Sequence, residues 1–553
     1  MEILHIQDLS FSYPKSKSKA LTHVSMTINE GDFVVICGES GSGKTTLLKL
    51  IKKELAPIGN KEGRILYNGT EIDKLEQRVS ATDIGFVLQN PESQIVTDKV
   101  WHELAFGLEN LGVPADIIRR RTAETASYFG IDDQYRQSTD SLSGGQKQLL
   151  NLASVMVMQP RILILDEPTS QLDPIASDEF IATLKKLNDE LGITIILTEH
   201  RLESVFPITN KVAVMEKGRV ISFDSPRKVG NQLKHNKISL GFPCAVRMFQ
   251  GLDASGECPL TIKEGRDYLA SSFSQSKGKS VAVTDTSFDE TALEAKDLWF
   301  RYEKRSADIL RGVSISLHKG EIYTTLGSTG VGKTTLLNVL SGINRAYKGG
   351  VKVFGKKLSQ YKNNSLYKGN LALLPQNPAI VFTQDTVRED YAKLLKALGL
   401  ANQEIDERIA DISDKLGLSD LLDCHPSDLS GGEQQKCAIG KTLLSSPKIL
   451  LLDEPTKSID AYAKQELIGL LKGLKASGMA VLIVSHDIEF AAQISDKCAL
   501  FFDGELIAQD EPHRFFSGNN YYTTAAYRIS RGFFENAVLT DEIITLCKEN
   551  YDD

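Results

Sequence analysis

The sequence predicts an α/β protein made of two copies of one domain in tandem, each built on a mostly parallel sheet. Three observations predict it. GESGSGKTT (38–46) recurs as GSTGVGKTT (327–335), with Lys44 and Lys333 289 residues apart. LSGG and ILILDEP recur as LSGG and ILLLDEP, with Ser143 and Ser430, and Asp166 and Asp453, each 287 residues apart. His200 and His486 follow at a step of 286, and between these landmarks short aliphatic runs alternate with helical periodicity.

In each copy the elements can be read in order. DFVVIC (32–37) is an apolar run ending at a glycine-rich turn, and Leu47, Leu48, Ile51 and Leu55 then recur at helical spacing. ILIL (162–165) and TIILT (194–198) read as buried parallel strands, with a helix expected from Pro174 to Leu191 between them. The chain divides into a first domain (1–230), a linker with a small helical appendage (231–290), a second domain (291–517) and a C-terminal helical appendage (518–553). The linker holds a Ser-rich run, SSFSQSKGKS, read as flexible. The appendages rest on a faint echo, AVR with LT at 245–261 and AYR with LT at 526–540.

Bulk properties narrow the function. At 553 residues the chain exceeds what one core supports, and 41% hydrophobic with 25% charged residues is ordinary globular composition. The formal charge is -8, which argues against a nucleic-acid partner. The seven cysteines are scattered without close pairs, which fits buried thiols in a reducing compartment. No signal peptide is evident, and no window approaches the ~18 apolar residues needed to span a bilayer. The expectation is a cytoplasmic chain whose membrane role comes through a partner.

Gly38-x-x-x-x-Gly43-Lys44-Thr45 and Gly327-x-x-x-x-Gly332-Lys333-Thr334 match the phosphate-binding P-loop. Backbone N–H groups curl around the phosphates, and glycine permits that curl. The expected nucleotide contacts are Gly38, Ser40, Gly41, Gly43, Lys44, Thr45 and Thr46, and Gly327, Thr329, Gly330, Gly332, Lys333, Thr334 and Thr335. Thr45 and Thr334 can also hold magnesium. Asp166-Glu167 and Asp453-Glu454 each end an aliphatic strand, where unpaired carboxylates would be costly. Magnesium resolves this: Asp166 and Asp453 serve the metal, while Glu167 and Glu454 polarise the attacking water. His200 and His486 close later strands within reach of the γ-phosphate.

Leu142-Ser-Gly-Gly-Gln146 and Leu429-Ser-Gly-Gly-Glu433 resemble the signature of ATP-binding cassette (ABC) ATPases, and with the other motifs the resemblance covers about 1–230 and 291–517. It implies a RecA-like parallel sheet with a helical subdomain in each copy, and two cassettes pairing head to tail within one chain. Lys44 would then work with Ser430, Gly431 and Gly432, and Lys333 with Ser143, Gly144 and Gly145. By the same resemblance Tyr13 and Tyr302 stack on adenine, Gln89 and Gln376 touch magnesium and take part in catalysis, and Asp173 and Asp460 couple the sites. Two departures stand out: Glu433 replaces Gln, and Lys457 stands where the first copy has Ser170.

VLQNPESQIV (87–96) resembles the corresponding stretch of energy-coupling factor (ECF) importer cassettes, and LLPQNPAIVF (373–382) keeps only part of it. The resemblance implies an ATPase coupling cassette closure to uptake of a vitamin or metal ion, at the cytoplasmic face of the membrane. Its partners would be an integral membrane scaffold and a substrate-binding membrane protein, and its cofactors ATP and Mg2+. Glu92 is either a partner for an arginine on the scaffold or an ordinary solvated loop acid; Ala379 holds the matching place. The alternatives are a soluble twin-cassette ATPase acting on ribosomes or nucleic acid, and a sugar-importer ATPase. A neutral span 231–290, with seven basic and seven acidic residues broken by Pro and Gly, disfavours the ribosomal reading.

Overall fold

The computed structural model describes residues 1–14, 18–234, 236–274, 277–283, 287–457 and 459–549. They fall into two compact units, Met1–Thr261 and Ile262–Asp553.

Among the described residues of the first unit ten strands form two sheets. β1 (Glu2–Ser12), β2 (Leu21–Asn29), β4 (Asn60–Tyr67) and β5 (Thr70–Glu71) make an antiparallel sheet in the order β2-β1-β4-β5 around β3 (Phe33–Gly38) in sequence. β3 belongs to a second sheet with β6 (Ile84–Val87), β7 (Ile162–Asp166), β8 (Thr194–Thr198), β9 (Lys211–Glu216) and β10 (Arg219–Asp224), ordered β10-β9-β3-β8-β7-β6. Every pair in it is parallel except the edge pair of β9 and β10.

The second unit repeats this plan. β11 (Thr291–Phe300), β12 (Leu310–His318), β14 (Lys348–Val353) and β15 (Lys356–Lys357) form the antiparallel sheet. β13 (Ile322–Leu326), β16 (Leu371–Leu374), β17 (Ile449–Asp453), β18 (Ala480–Ser485), β19 (Lys497–Phe502) and β20 (Glu505–Asp510) form the six-stranded one, ordered β16-β17-β18-β13-β19-β20.

The aliphatic runs become central strands because both faces are covered: β7, β8 and β17 are buried at every residue. Leu47, Leu48 and Ile51 project from the helix Lys44–Ile51 into the core that the two sheets of the first unit share, and Leu336, Leu337 and Leu340 do the same in the second. The helix Pro174–Leu191 has the bounds its sequence pattern predicts, with Asp173 capping its start and left-handed Gly192 ending it. This order places the candidate site residues. β8 lies between β3 and β7, all three run the same way, and their carboxyl ends carry the P-loop, the acid pair and the histidine.

Residues 231–290 divide between the units. The helix Cys244–Gly251 lies in the first, and the helix Ile262–Ser272 packs in the second against the helix Ala525–Ser530. Part of the Ser-rich run, Gln275 and Ser276, lies outside the described residues. Beyond it the chain is bonded: Gly278 N–H donates to Phe533 O at 2.8 Å, Val281 N–H to Glu535 O at 3.0 Å and Glu535 N–H to Lys279 O at 2.9 Å. The cysteines are free thiols, all buried but Cys424. No helix among the described residues is long and apolar enough to cross a membrane.

Candidate active site

The glycine-rich loops are closed around by backbone. A Cβ at Gly38 would lie 2.1 Å from Met215 O, and one at Gly327 2.5 Å from Phe501 O. Gly43 and Gly332 hold φ of 95° and 109° and start the helices Lys44–Ile51 and Lys333–Leu340. Gly41 (φ 76°) and Gly330 (φ 84°) turn the loop midway. The side chains of Lys44 and Lys333 fold back over this curl: Lys44 Nζ donates to Gly38 O and Glu39 O at 2.9 Å each, and Lys333 Nζ to Gly327 O at 2.7 Å and Ser328 O at 2.9 Å. Each loop therefore carries a buried ammonium group at a helix N-terminus, an arrangement suited to a polyphosphate.

Tyr13 and Tyr302 take matching positions. Their hydroxyls lie 3.0 and 3.1 Å from Thr46 Oγ1 and Thr335 Oγ1, and each ring meets a phenylalanine, Phe11 or Phe300, edge-on. Both rings stay exposed beside the loop, where a base could stack. Ser40 and Thr329 lie within the two loops.

At the first site Thr45 Oγ1 donates to Asp166 Oδ1 at 3.1 Å, joining loop to acid pair. Gln89 Nε2 donates to Glu167 Oε2 at 2.7 Å, and His200 Nε2 lies 2.8 Å from Glu167 Oε1. Burial pushes the Asp166 carboxyl above its ordinary range against the hydrogen bond from Thr198. Both acid-pair glutamates sit at positive φ, 44° at Glu167 and 49° at Glu454. Such backbone costs of order 1–3 kcal/mol.

The second site differs in its partners. Glu454 Oε1 lies 3.5 Å from Lys333 Nζ, and Oε2 lies 2.8 Å from His486 Nδ1 and accepts the His486 backbone N–H at 3.1 Å. Burial opposes ionisation of Glu454, but His486 and Lys333 outweigh it and hold the carboxyl below its usual value. Asp453 is pushed up to about 6 by burial, against a hydrogen bond from Thr334. Gln376 is exposed in the turn after β16, whereas Gln89 is half-buried. Lys457, in the place of Ser170, is half-buried, and burial pushes its ammonium down while Glu454 and Asp453 pull it up.

The signature residues head a different helix in each unit. Ser143 caps Gly144–Met156 in a capping box with Gln146, and Ser430 caps Gly431–Leu443 in one with Glu433. Glu433 thus reproduces the cap that Gln makes. Gly144, Gly145, Gly431 and Gly432 fill the first turn of these helices. Asp173 and Asp460 cap the helices that follow the acid pairs, accepting from Ala176 N at 2.9 Å and Ala463 N at 2.8 Å. Glu92, still exposed to solvent, pairs with Lys147 of the signature helix at 2.8 Å. Gln94 closes the same loop, accepting Leu88 N–H at 2.8 Å and donating to Phe86 O at 3.2 Å. The second unit has Ala379, Gln434 and Val381 at the places of Glu92, Lys147 and Gln94.

Two residues escaped sequence reasoning. Thr198 Oγ1 donates to Asp166 Oδ1 at 2.8 Å and accepts Glu167 N–H at 2.9 Å. Glu199 is buried against Thr169 and His200, and burial pushes its carboxyl up against the bonds from Thr169. Two polar residues closing a buried strand before a histidine were the available signal.

The ABC transporter family pattern matches residues 21–170 and 310–457. A relative in Bacillus anthracis, named an ABC transporter ATP-binding protein, is 42% identical over 99% of this chain and 98% of its own length. A relative of the same name in Bacillus thuringiensis is 43% identical over 98% of each chain. A solved structure of CbiO1 from Clostridium perfringens, part of the ABC transporter complex CbiONQ, is 33% identical and covers 43% of this chain and 97% of its own, with a TM-score of 0.38.

Proposed function

This chain belongs to the ATP-binding proteins of ABC transporters, and from that premise we propose that its two cassettes jointly energise a membrane importer of the ECF kind. It binds and hydrolyses ATP. In the proposed arrangement each nucleotide lies between one P-loop and the signature of the other cassette, with Lys44 opposite Ser430–Gly432 and Lys333 opposite Ser143–Gly145. The signature helix N-termini complete the phosphate cage.

Glu167 and Glu454 orient the attacking water and accept its proton on a carboxylate oxygen, while Gln89 and His200 in the first site, and His486 in the second, hold that carboxylate in place. Thr45, Asp166 and Gln89, and Thr334, Asp453 and Gln376, are the residues that would hold magnesium. Asp453 Oδ1 fits that role, being buried with no hydrogen-bond partner among the described residues. Bound there, the ion would supply positive charge against the phosphates.

The observation that carries the importer reading is the unlike pair of glutamine loops. The first is stapled by Gln94 and tied to the signature helix through Glu92 and Lys147; the second has none of these side chains. Unlike loops suit two unlike helices of an asymmetric membrane scaffold that carries a separate substrate-binding protein. Closure moves such a scaffold only where it binds open and closed cassettes with different free energy. A vitamin is the first expected cargo and a metal ion the second, with the chain at the cytoplasmic face of the membrane.

Cell fractionation tests this. The chain is expected to pellet with membranes and co-purify with a large integral protein and a small hydrophobic one. Cosedimentation with ribosomes without membrane association would overturn it, and co-purification with two like membrane subunits would favour a sugar importer.

A further inference from the structure

We propose that Glu199 is a positioning residue of the first hydrolytic site, and that Ser485 in its place makes the second site chemically unequal. The proposal rests on the reading that Glu167 and His200 serve hydrolysis.

Glu199 is 2% exposed at the end of β8, where a carboxylate is costly unless its oxygens are satisfied. They are satisfied by two segments of the site. Oε1 accepts the Thr169 backbone N–H at 3.0 Å and the Thr169 hydroxyl at 2.7 Å, while Oε2 accepts the His200 backbone N–H at 3.3 Å. Thr169 is two residues beyond Glu167, in the turn that holds Glu167 at positive φ. One side chain thus ties the backbone carrying the water-polarising carboxylate to the backbone carrying the histidine.

The second site shows the arrangement without such a carboxylate. Ser485 Oγ accepts the Asp487 N–H at 3.0 Å and so turns away from its own histidine. The His486 backbone N–H then goes to Glu454 Oε2 at 3.1 Å, and the near ring nitrogen, Nδ1, lies 2.8 Å from that same oxygen. In the first site Glu199 takes the histidine N–H. The far ring nitrogen, Nε2, meets Glu167 Oε1, and Glu167 Oε2 accepts from Gln89. The two carboxylates are therefore engaged by different nitrogens: the His200 Nε2 and Gln89 Nε2 at Glu167, and the His486 Nδ1, its backbone N–H and the Lys333 Nζ at Glu454. Since nucleotide is held by the P-loop, signature and tyrosine, Glu199 affects the step after binding.

Steady-state ATPase assays on the full chain, every variant made on a Glu454→Gln parent so that turnover reports the first site, test this, alongside thermal melts. Glu199→Ser is expected to lower kcat by about tenfold while KM for ATP stays within about twofold. Glu199→Gln keeps an oxygen to accept from Thr169 but offers His200 no second acceptor, so its kcat should fall between the parent and Glu199→Ser at unchanged KM. Thr169→Val, which removes the hydroxyl and keeps the shape, should also lower kcat at unchanged KM. Should Glu199→Ser not fold, the other two variants carry the same test. The parent's kcat in these variants would overturn the proposal, as would a rise in KM that accounts for the loss. Glu167→Gln separates the two readings: if it turns over normally, the hydrolytic reading of Glu167 fails. If it is silent while the Glu199 variants are normal, only the positioning role fails.

Discussion

Glu433 Oε2 accepts both the hydroxyl of Ser430, at 2.7 Å, and its backbone N–H, at 2.9 Å. Its counterpart Gln146 accepts the Ser143 N–H at 2.9 Å through an amide oxygen. The second signature therefore points its serine proton at its own cap and sets a carboxylate at a helix N-terminus, where the proposed phosphate would lie. An anion there favours the helix but opposes a phosphate, by about 0.3–1 kcal/mol. Glu433→Gln should tighten ATP binding about two- to fivefold at low salt and less at high salt. Calorimetric titration of the full chain checks this; equal affinities at low salt would show that the carboxylate does not face the nucleotide.

Glu167 and Glu454 directly follow equivalent strands and share positive φ, so both are expected to serve hydrolysis despite their different partners. The double variant Glu167→Gln with Glu454→Gln should retain ATP binding and lose turnover by about 10²–10⁴-fold. Parallel measurements of nucleotide affinity and phosphate release decide it, and normal release would remove both residues from the mechanism.

His513 sits between two carboxylates, 2.6 Å from Glu511 Oε1 and 2.7 Å from Glu542 Oε1, and so clamps the C-terminal helix Thr540–Lys548 to the start of the helix Pro512–Gly518. The hydrogen bond that the ring donates to Glu542 leads in raising the imidazole from its ordinary 6.5 to about 9, despite burial. A raised histidine stabilises the fold fully below its unfolded pKa, and the contribution fades as pH climbs through about 9. His513→Gln should therefore speed tryptic release of the segment after Arg531 at pH 6.5, by about tenfold, with wild type and variant converging above pH 9.5. An equal difference at both pH values would contradict the charged clamp.

Much of this architecture was legible in the sequence because its signals are local. Apolar runs marked β3, β7 and β8, the glycines marked the P-loop, and proline with a following glycine bracketed the helix Pro174–Leu191. What stayed hidden depends on contacts between distant segments. Thr198 reaches Asp166 because β7 and β8 pair in one register, and that register has no signature in either strand alone. Glu199 has no role legible in its own segment, because a buried acid is recognised by its partners and Thr169 lies 30 residues away. The bonds of Gly278 and Val281 to Phe533 and Glu535 are likewise invisible to composition, which reads a Ser-rich run as linker.

The claim that each nucleotide is shared between cassettes is tested most directly by separating them. The two compact units, 1–261 and 262–553, can be expressed apart and assayed dilute, then mixed at rising concentration. The account predicts that each alone hydrolyses ATP at about a hundredth of the intact rate or less, and that mixing restores activity with a steep dependence on concentration. Separated units that each turn over as fast as the intact chain, indifferent to mixing, would contradict it.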